Sequence, residues 1–287
     1  MTTFIDLRAT PSGGFVATTP ALLLQDGTTA LTVGQFESQI AGKDLVLATH
    51  GFNVSGPSGL KSLSAWDGLC GLPNPYEYVG VLWPGDSSIL PVLDYPVEGS
   101  VALDSGRLLA QFLNDHATGA ASISLVSHSL GARTMLETVN NMNRPVAALI
   151  LMAGAIEDDC LTGEYADAIQ KVGQVRVVAS RKDWVLELAF PIGNPIGEVV
   201  MSGHPYFRRA LGRQGPSSLV GLDSRCRTWQ IPDGWGYVHS DYLPGDAVAA
   251  RMPPPLGVPD QSSPPAGNAD GWKSSWSAGV IATQFQT

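Results

Sequence analysis

Apolar positions change their period several times along the chain, and each change predicts a different element. Phe4 to Ala9 alternates, Gly13-Gly14 turns the chain, and Phe15 to Thr18 pairs back. A further apolar run, Ala21 to Leu24, leads into the turn signal Asp26-Gly27. Asp44 to Thr49 (DLVLAT) and Tyr78 to Trp83 (YVGVLW) are short and almost fully apolar, the pattern of strands covered on both faces. Ser58 to Leu69 reads as a helix between them. Glu98 to His116 carries Val101, Leu108, Leu109, Phe112 and Leu113 on one face at helical spacing and is the clearest helix. Ser122 to Val126, Val146 to Met152, Val175 to Ala179 and Cys226 to Ile231 read as further strands, with helices over Ala132 to Asn140 and Glu164 to Val172. Strands alternating with helices predict an α/β fold: a mostly parallel sheet flanked by helices, with extra antiparallel strands at the N-terminus.

Two stretches interrupt this order. Residues 184–225, rich in Pro, Gly and aromatics, form a cap-like insertion before the last strand, and long connections of this kind tend to be binding loops. Residues 253–287 begin with a Pro- and Ser-rich stretch and read as a strap or tail, with Trp272 and Trp276 placed to pin it back onto the body. Residues 1–252 are therefore expected to form a single domain.

Composition narrows the function. At 44 % hydrophobic and 15 % charged residues, the chain of 287 residues has the balance of a globular enzyme. A net charge of −9 argues against a nucleic-acid partner, which needs a basic face. Cys70, Cys160 and Cys226 form an odd, sparse set without metal spacing, so buried reduced thiols are expected. No apolar run approaches the roughly 18 residues of a membrane span. The first residues also lack a basic segment followed by an apolar one, so a cytoplasmic protein is expected.

The chemistry centres on Ile123-Ser-Leu-Val-Ser127-His128-Ser129-Leu130-Gly131-Ala132. An apolar strand ends in a small-x-Ser-x-Gly step and a helix begins at once, the layout of a nucleophile elbow with Ser129 at its tip. The turn is strained, so the positions two before and two after the nucleophile must be small; here they are Ser127 and Gly131. The elbow sets the Ser129 hydroxyl at a helix N-terminus, where developing negative charge is stabilised.

A serine hydroxyl needs a base, and the base needs an orienting carboxylate. Behind such an elbow the acid and then the histidine follow in chain order at strand ends. Asp183, just past the strand Val175 to Ala179, is the first choice for the acid. Asp158, in the run Glu157-Asp158-Asp159 one strand earlier, is the second. His239, in the loop after the last strand, is the expected base, with His204 in the insertion as the alternative. His128, adjacent to the nucleophile, is expected to pack or hydrogen-bond beneath the turn. For the oxyanion, the N–H of Leu130 is one donor and that of Phe52, in His50-Gly51-Phe52-Asn53, is the other.

With these residues identified, the chain resembles an α/β-hydrolase, and within that superfamily a group of poorly characterised bacterial serine hydrolases. The matching segments are ATHGFNVS (48–55), VLWPGD (81–86), LVSHSLGARTMLE (125–137), VASRKDW (178–184) and the His239 loop. The resemblance implies the α/β-hydrolase fold and favours Asp183 as the acid. The expected activity is hydrolysis of a small-molecule carboxylic ester with an apolar moiety, through an acyl-enzyme on Ser129, with no metal and no cofactor. A thioesterase, an amidase or an acyltransferase would use the same three residues, and a lipase would add a mobile lid. A hydrolase-like binding protein would lack activity altogether. His50, His128, Ile89 and Trp184 are expected along the substrate pocket, with apolar residues of 87–95 and of the insertion forming its walls.

Overall fold

The computed structural model describes residues 1–10, 14–86, 95–187, 209–244 and 272–285, and of residues 95–98 and 223 the backbone alone. Eight strands form one sheet: β1 (Thr3–Arg8), β2 (Val16–Leu24), β3 (Asp44–Thr49), β4 (Tyr76–Leu82), β5 (Ser122–His128), β6 (Val146–Met152), β7 (Val172–Ser180) and β8 (Cys226–Ile231). Their spatial order is β2-β1-β4-β3-β5-β6-β7-β8. β2 is antiparallel to β1 and every other pairing is parallel. The α-helices that accompany them include α1 (Val33–Ile40), α2 (Gly56–Cys70), α3 (Tyr95–His116), α4 (Gly131–Asn141), α5 (Ala166–Gln170), α6 (Leu211–Gln214) and α7 (Trp272–Gln284). None is long and apolar enough to cross a membrane.

The handedness of parallel crossovers distributes the helices over two faces. From β3 the chain steps through α2 to β4 on one side, then through α3 past β3 to β5 on the other. Right-handed connections in opposite directions put α2 on one face and α3, α4 and α5 on the other. α3 packs on α4, and α7 packs on α2, on the α2 face. Between β3 and β5 the chain therefore leaves adjacent strands in opposite directions. That opens a crevice at their C-terminal ends, the place where open α/β sheets bind ligands.

Coverage on both faces accounts for the continuous apolar runs. Leu45 to Thr49 and Ile123 to Val126 are buried throughout, as are Ala148 to Met152. The edge strand β2 is only partly buried and contains Pro20. A proline cannot donate to a ladder, and the β1–β2 register is irregular in this region. Phe15 to Thr18, expected to pair back, and the further apolar run Ala21 to Leu24 are thus parts of one strand.

Three elements differ from the sequence pattern. α1 buries only Phe36 and Ile40, too few to register as a periodic face; its start is marked by a capping box between Thr32 and Gln35. The helix expected over Glu164 to Val172 shrinks to α5, and β7 begins at Val172. There Gly173 lies so close to the β6 backbone that a Cβ would come within 2.8 Å of the Ala147 carbonyl oxygen. The end of the chain expected as a strap or tail is, over 272–284, the helix α7. It buries Trp276, Val280 and Ile281, and Trp276 meets Trp235 edge to face at 5.5 Å.

Candidate active site

Ser129 follows the last residue of β5 with φ of 55°, a left-handed conformation that bulky residues avoid. Its amide donates to the Met152 carbonyl at 3.0 Å, and its own carbonyl accepts from Ala132 and Ala155. The turn is held at both ends although it is strained. Ser127, two residues earlier, is fully buried and donates to the Ile150 carbonyl at 3.4 Å. Gly131, two residues later, faces the end of β3: a Cβ there would lie 2.4 Å from the His50 carbonyl oxygen and 2.7 Å from Thr49 Cγ2. The obstacle is backbone and cannot rotate away. Gly131→Ala is expected to cost about 1–3 kcal/mol of stability, read by urea denaturation, and to force β3 and its loop away from Ser129.

That loop closes the other side of the serine. A Cβ on Gly51 would lie 2.6 Å from Ser129 Cβ and 3.1 Å from Ser129 Oγ, so only glycine lets the backbone come this near. Phe52 follows Gly51 and Leu130 follows Ser129 in the chain, and neither amide has a hydrogen-bond partner among the described residues. Asn53 takes a left-handed turn (φ 58°) and donates to the Gly85 carbonyl at 2.6 Å, tying the loop to the end of β4.

His239 opens a short turn after β8. Its Nε2 lies 2.7 Å from Ser129 Oγ, and its Nδ1 lies 2.7 Å from Asp183 Oδ2. Asp183 is fully buried just beyond β7, and its Oδ1 accepts the Leu186 amide at 3.0 Å. Three side chains from three strand ends thus form one continuous hydrogen-bonded chain. The carboxylate on His239 Nδ1 is that of Asp183 and not that of Asp158, whose backbone ties to Arg209 and Ser217. Glu157 pairs with Arg133 at 2.9 Å. His204 and Ile89 lie outside the described residues. Trp184, next to Asp183, is 58 % exposed.

His50 and His128, expected along the pocket, are both buried. His50 Nδ1–H donates to the Gly51 carbonyl at 2.9 Å, and its ring stacks on Trp83 at 5.9 Å. Trp83 Nε1–H in turn donates to the His50 carbonyl at 2.9 Å. His128 Nε2–H donates to the His239 carbonyl at 2.8 Å. Burial pushes His50 down to about 4. Burial and the neighbouring His239 push His128 down to about 3. In the unfolded chain both rings protonate near 6.5, so acidification loads the unfolded state first. Stability is expected to fall below pH 6.5, towards these lower values, by up to about 1.4 kcal/mol per pH unit for each ring. A lower urea midpoint at pH 5 than at pH 7 checks this, and the drop should shrink in His128→Gln.

Sequence reasoning missed what holds the His239 loop. Lys273, on α7, donates to Asp241 Oδ2 and to the Gly236 carbonyl, each at 2.7 Å. Asp241 Oδ2 also accepts the Val238 amide at 2.7 Å. Ser180, at the end of β7, donates to the Tyr237 carbonyl at 2.6 Å, and the Tyr237 hydroxyl bonds Ser277 and the Lys273 carbonyl. The loop is therefore clamped between β7 and the C-terminal helix. The Trp272 and Trp276 pair was the only signal of it in the sequence.

Residues 29–225 match the family described as "Alpha/beta hydrolase of unknown function (DUF900)"; His239 and α7 lie beyond the matched stretch. No curated protein matches the chain. Among solved structures, esterase PE8 is 18 % identical with a TM-score of 0.41, covering 70 % of this chain and 86 % of that one. An uncharacterized protein from Bacillus cereus ATCC 10987 is 16 % identical with a TM-score of 0.41, covering 70 % of this chain and 55 % of that one. An esterase from Pyrobaculum calidifontis is 11 % identical with a TM-score of 0.37, covering 70 % and 69 %.

Proposed function

Because the chain belongs to this family of α/β hydrolases of unknown function, we propose that it is a serine hydrolase cleaving carboxylic esters, with Ser129 as nucleophile, His239 as base and Asp183 as orienting acid. The observation that carries the reading is the unbroken hydrogen-bonded chain from Ser129 Oγ through both nitrogens of His239 to the buried Asp183 carboxylate.

Each atom has a task in that arrangement. His239 Nε2 takes the hydroxyl proton as Ser129 Oγ attacks the ester carbonyl. Asp183 holds the Nδ1–H tautomer, so the lone pair on Nε2 faces the serine, and its charge stabilises the imidazolium that forms. The carbonyl oxygen becomes negative and is received by the Phe52 and Leu130 amides. Collapse of the tetrahedral adduct breaks the bond to the alcohol, which leaves with the proton from His239. Water then gives a proton to His239 and attacks the acyl-enzyme, releasing the acid and restoring the Ser129 hydroxyl.

The substrate class proposed is a small ester with an apolar group on one side of the bond. The test combines two measurements on the full chain. A fluorophosphonate probe should label Ser129, located by mass spectrometry. p-Nitrophenyl esters of graded acyl length should be turned over, with the length profile sizing the acyl site. A chain that neither labels nor turns over any ester would overturn the reading.

A further inference from the structure

The two residues at the end of β5 reach the same histidine from different directions. Ser129 meets the imidazole at Nε2, 2.7 Å away. His128, the preceding residue, meets the backbone: its Nε2 lies 2.8 Å from the His239 carbonyl oxygen. The two imidazole rings are tilted against each other with centroids 4.9 Å apart, and the Tyr242 ring backs His128 at 5.8 Å.

A carbonyl oxygen only accepts, so His128 carries its proton on Nε2, and Nδ1 is a bare lone pair. Nδ1 is buried and has no hydrogen-bond partner among the described residues. It faces Gly51, where a Cβ would lie 3.1 Å from it. An unsatisfied buried acceptor costs folding free energy. An apolar side chain of similar size would fill the same space without that cost, so packing alone does not account for an imidazole here. What the imidazole supplies and an apolar group lacks is the donor to His239. Burial also keeps the ring neutral at ordinary pH, so His128 adds no positive charge beside the base.

We propose that His128 is a positioning residue: its Nε2–H grips the His239 backbone, so that the end of β5 sets both the nucleophile and the place of the base that serves it. The inference rests on the reading of Ser129, His239 and Asp183 as the catalytic group. Lys273 and Ser180 hold the loop from behind, whereas His128 holds it from the nucleophile's own strand. Losing that bond leaves the loop attached but frees the imidazole to drift relative to Ser129. A displacement on the order of 1 Å lowers turnover by about a hundredfold while leaving substrate binding largely intact.

The experiment compares wild type with His128→Gln and His128→Met. The two replacements have nearly the same length and volume, and only Gln offers a donor near the position of Nε2. Melting temperature, kcat and KM for a p-nitrophenyl ester, and the rate of fluorophosphonate labelling at Ser129 are measured for each. His128→Met is expected to lose about 10- to 100-fold in kcat and in labelling rate with KM within about twofold, and His128→Gln to recover most of both. His128→Met working as fast as wild type, or His128→Gln as slow as His128→Met, overturns the positioning role. Should His128→Met fail to fold, His128→Phe provides a second donor-free chain, and His128→Gln against wild type still decides the matter. A wild-type chain that resists the fluorophosphonate overturns the catalytic reading itself and this inference with it.

Discussion

Replacing Ser129 by alanine is expected to lower kcat for a p-nitrophenyl ester by about 10⁶-fold, with the chain still folded. The size follows from how the three side chains act together. Without the Ser129 hydroxyl, His239 has no proton to take and Asp183 orients an idle ring, so the whole contribution of the group is lost at once. Binding and the oxyanion donors remain and leave a residual rate above that of water. The fold survives because the elbow is held by backbone bonds at Met152, Ala132 and Ala155, none of which uses the side chain. Non-additivity provides the sharper check. His239→Ala should fall about as far, and the double variant should fall little further, since the groups work as a unit. A loss below tenfold for Ser129→Ala would show that another group carries the turnover.

Asp183→Asn is expected to cost about 10⁴-fold in kcat, and here the geometry dictates the cause. Asp183 Oδ1 accepts the Leu186 amide and Oδ2 faces His239 Nδ1. An asparagine must keep its oxygen on the Leu186 amide, because an NH₂ there would set donor against donor. Its NH₂ is then turned towards His239 Nδ1, which must become the acceptor. The imidazole proton moves to Nε2, and the nitrogen facing Ser129 can no longer take a proton. Stability should change far less than activity, since the side chain keeps its shape and both contacts. Comparing kcat and the urea midpoint of this variant with wild type separates the two effects. Equal losses in both would mean that Asp183 matters for folding and not for orienting the base.

The elbow was legible because its requirements are local. A left-handed turn at Ser129 needs small neighbours two residues away, and Ser127 and Gly131 satisfy this within one short stretch of chain. The order of elements was legible for a related reason: strands buried on both faces must be almost wholly apolar, as in β3 and β6. Asp183 and His239 were reached by counting strand ends, a topological argument that left Asp158 and His204 open. Only the folded chain gives His239 Nδ1 the Asp183 carboxylate as its partner.

Other features depend on meetings that no period records. α1 was missed because its buried face is two residues wide. α7 was missed because helix and strap are hard to tell apart where small and polar residues surround two tryptophans. Its value lies in where it packs, with Lys273 reaching Asp241 from the far end of the chain.

By itself, the sequence determined the α/β alternation, the strained turn and the residue types able to do acyl chemistry, because backbone sterics and burial act over a few neighbouring positions. The tertiary structure alone decided which carboxylate meets which histidine, how closely Gly51 approaches Ser129, and that His128 holds the His239 carbonyl from 111 residues away. Those contacts exist only once the crossovers bring distant strand ends to one edge of the sheet.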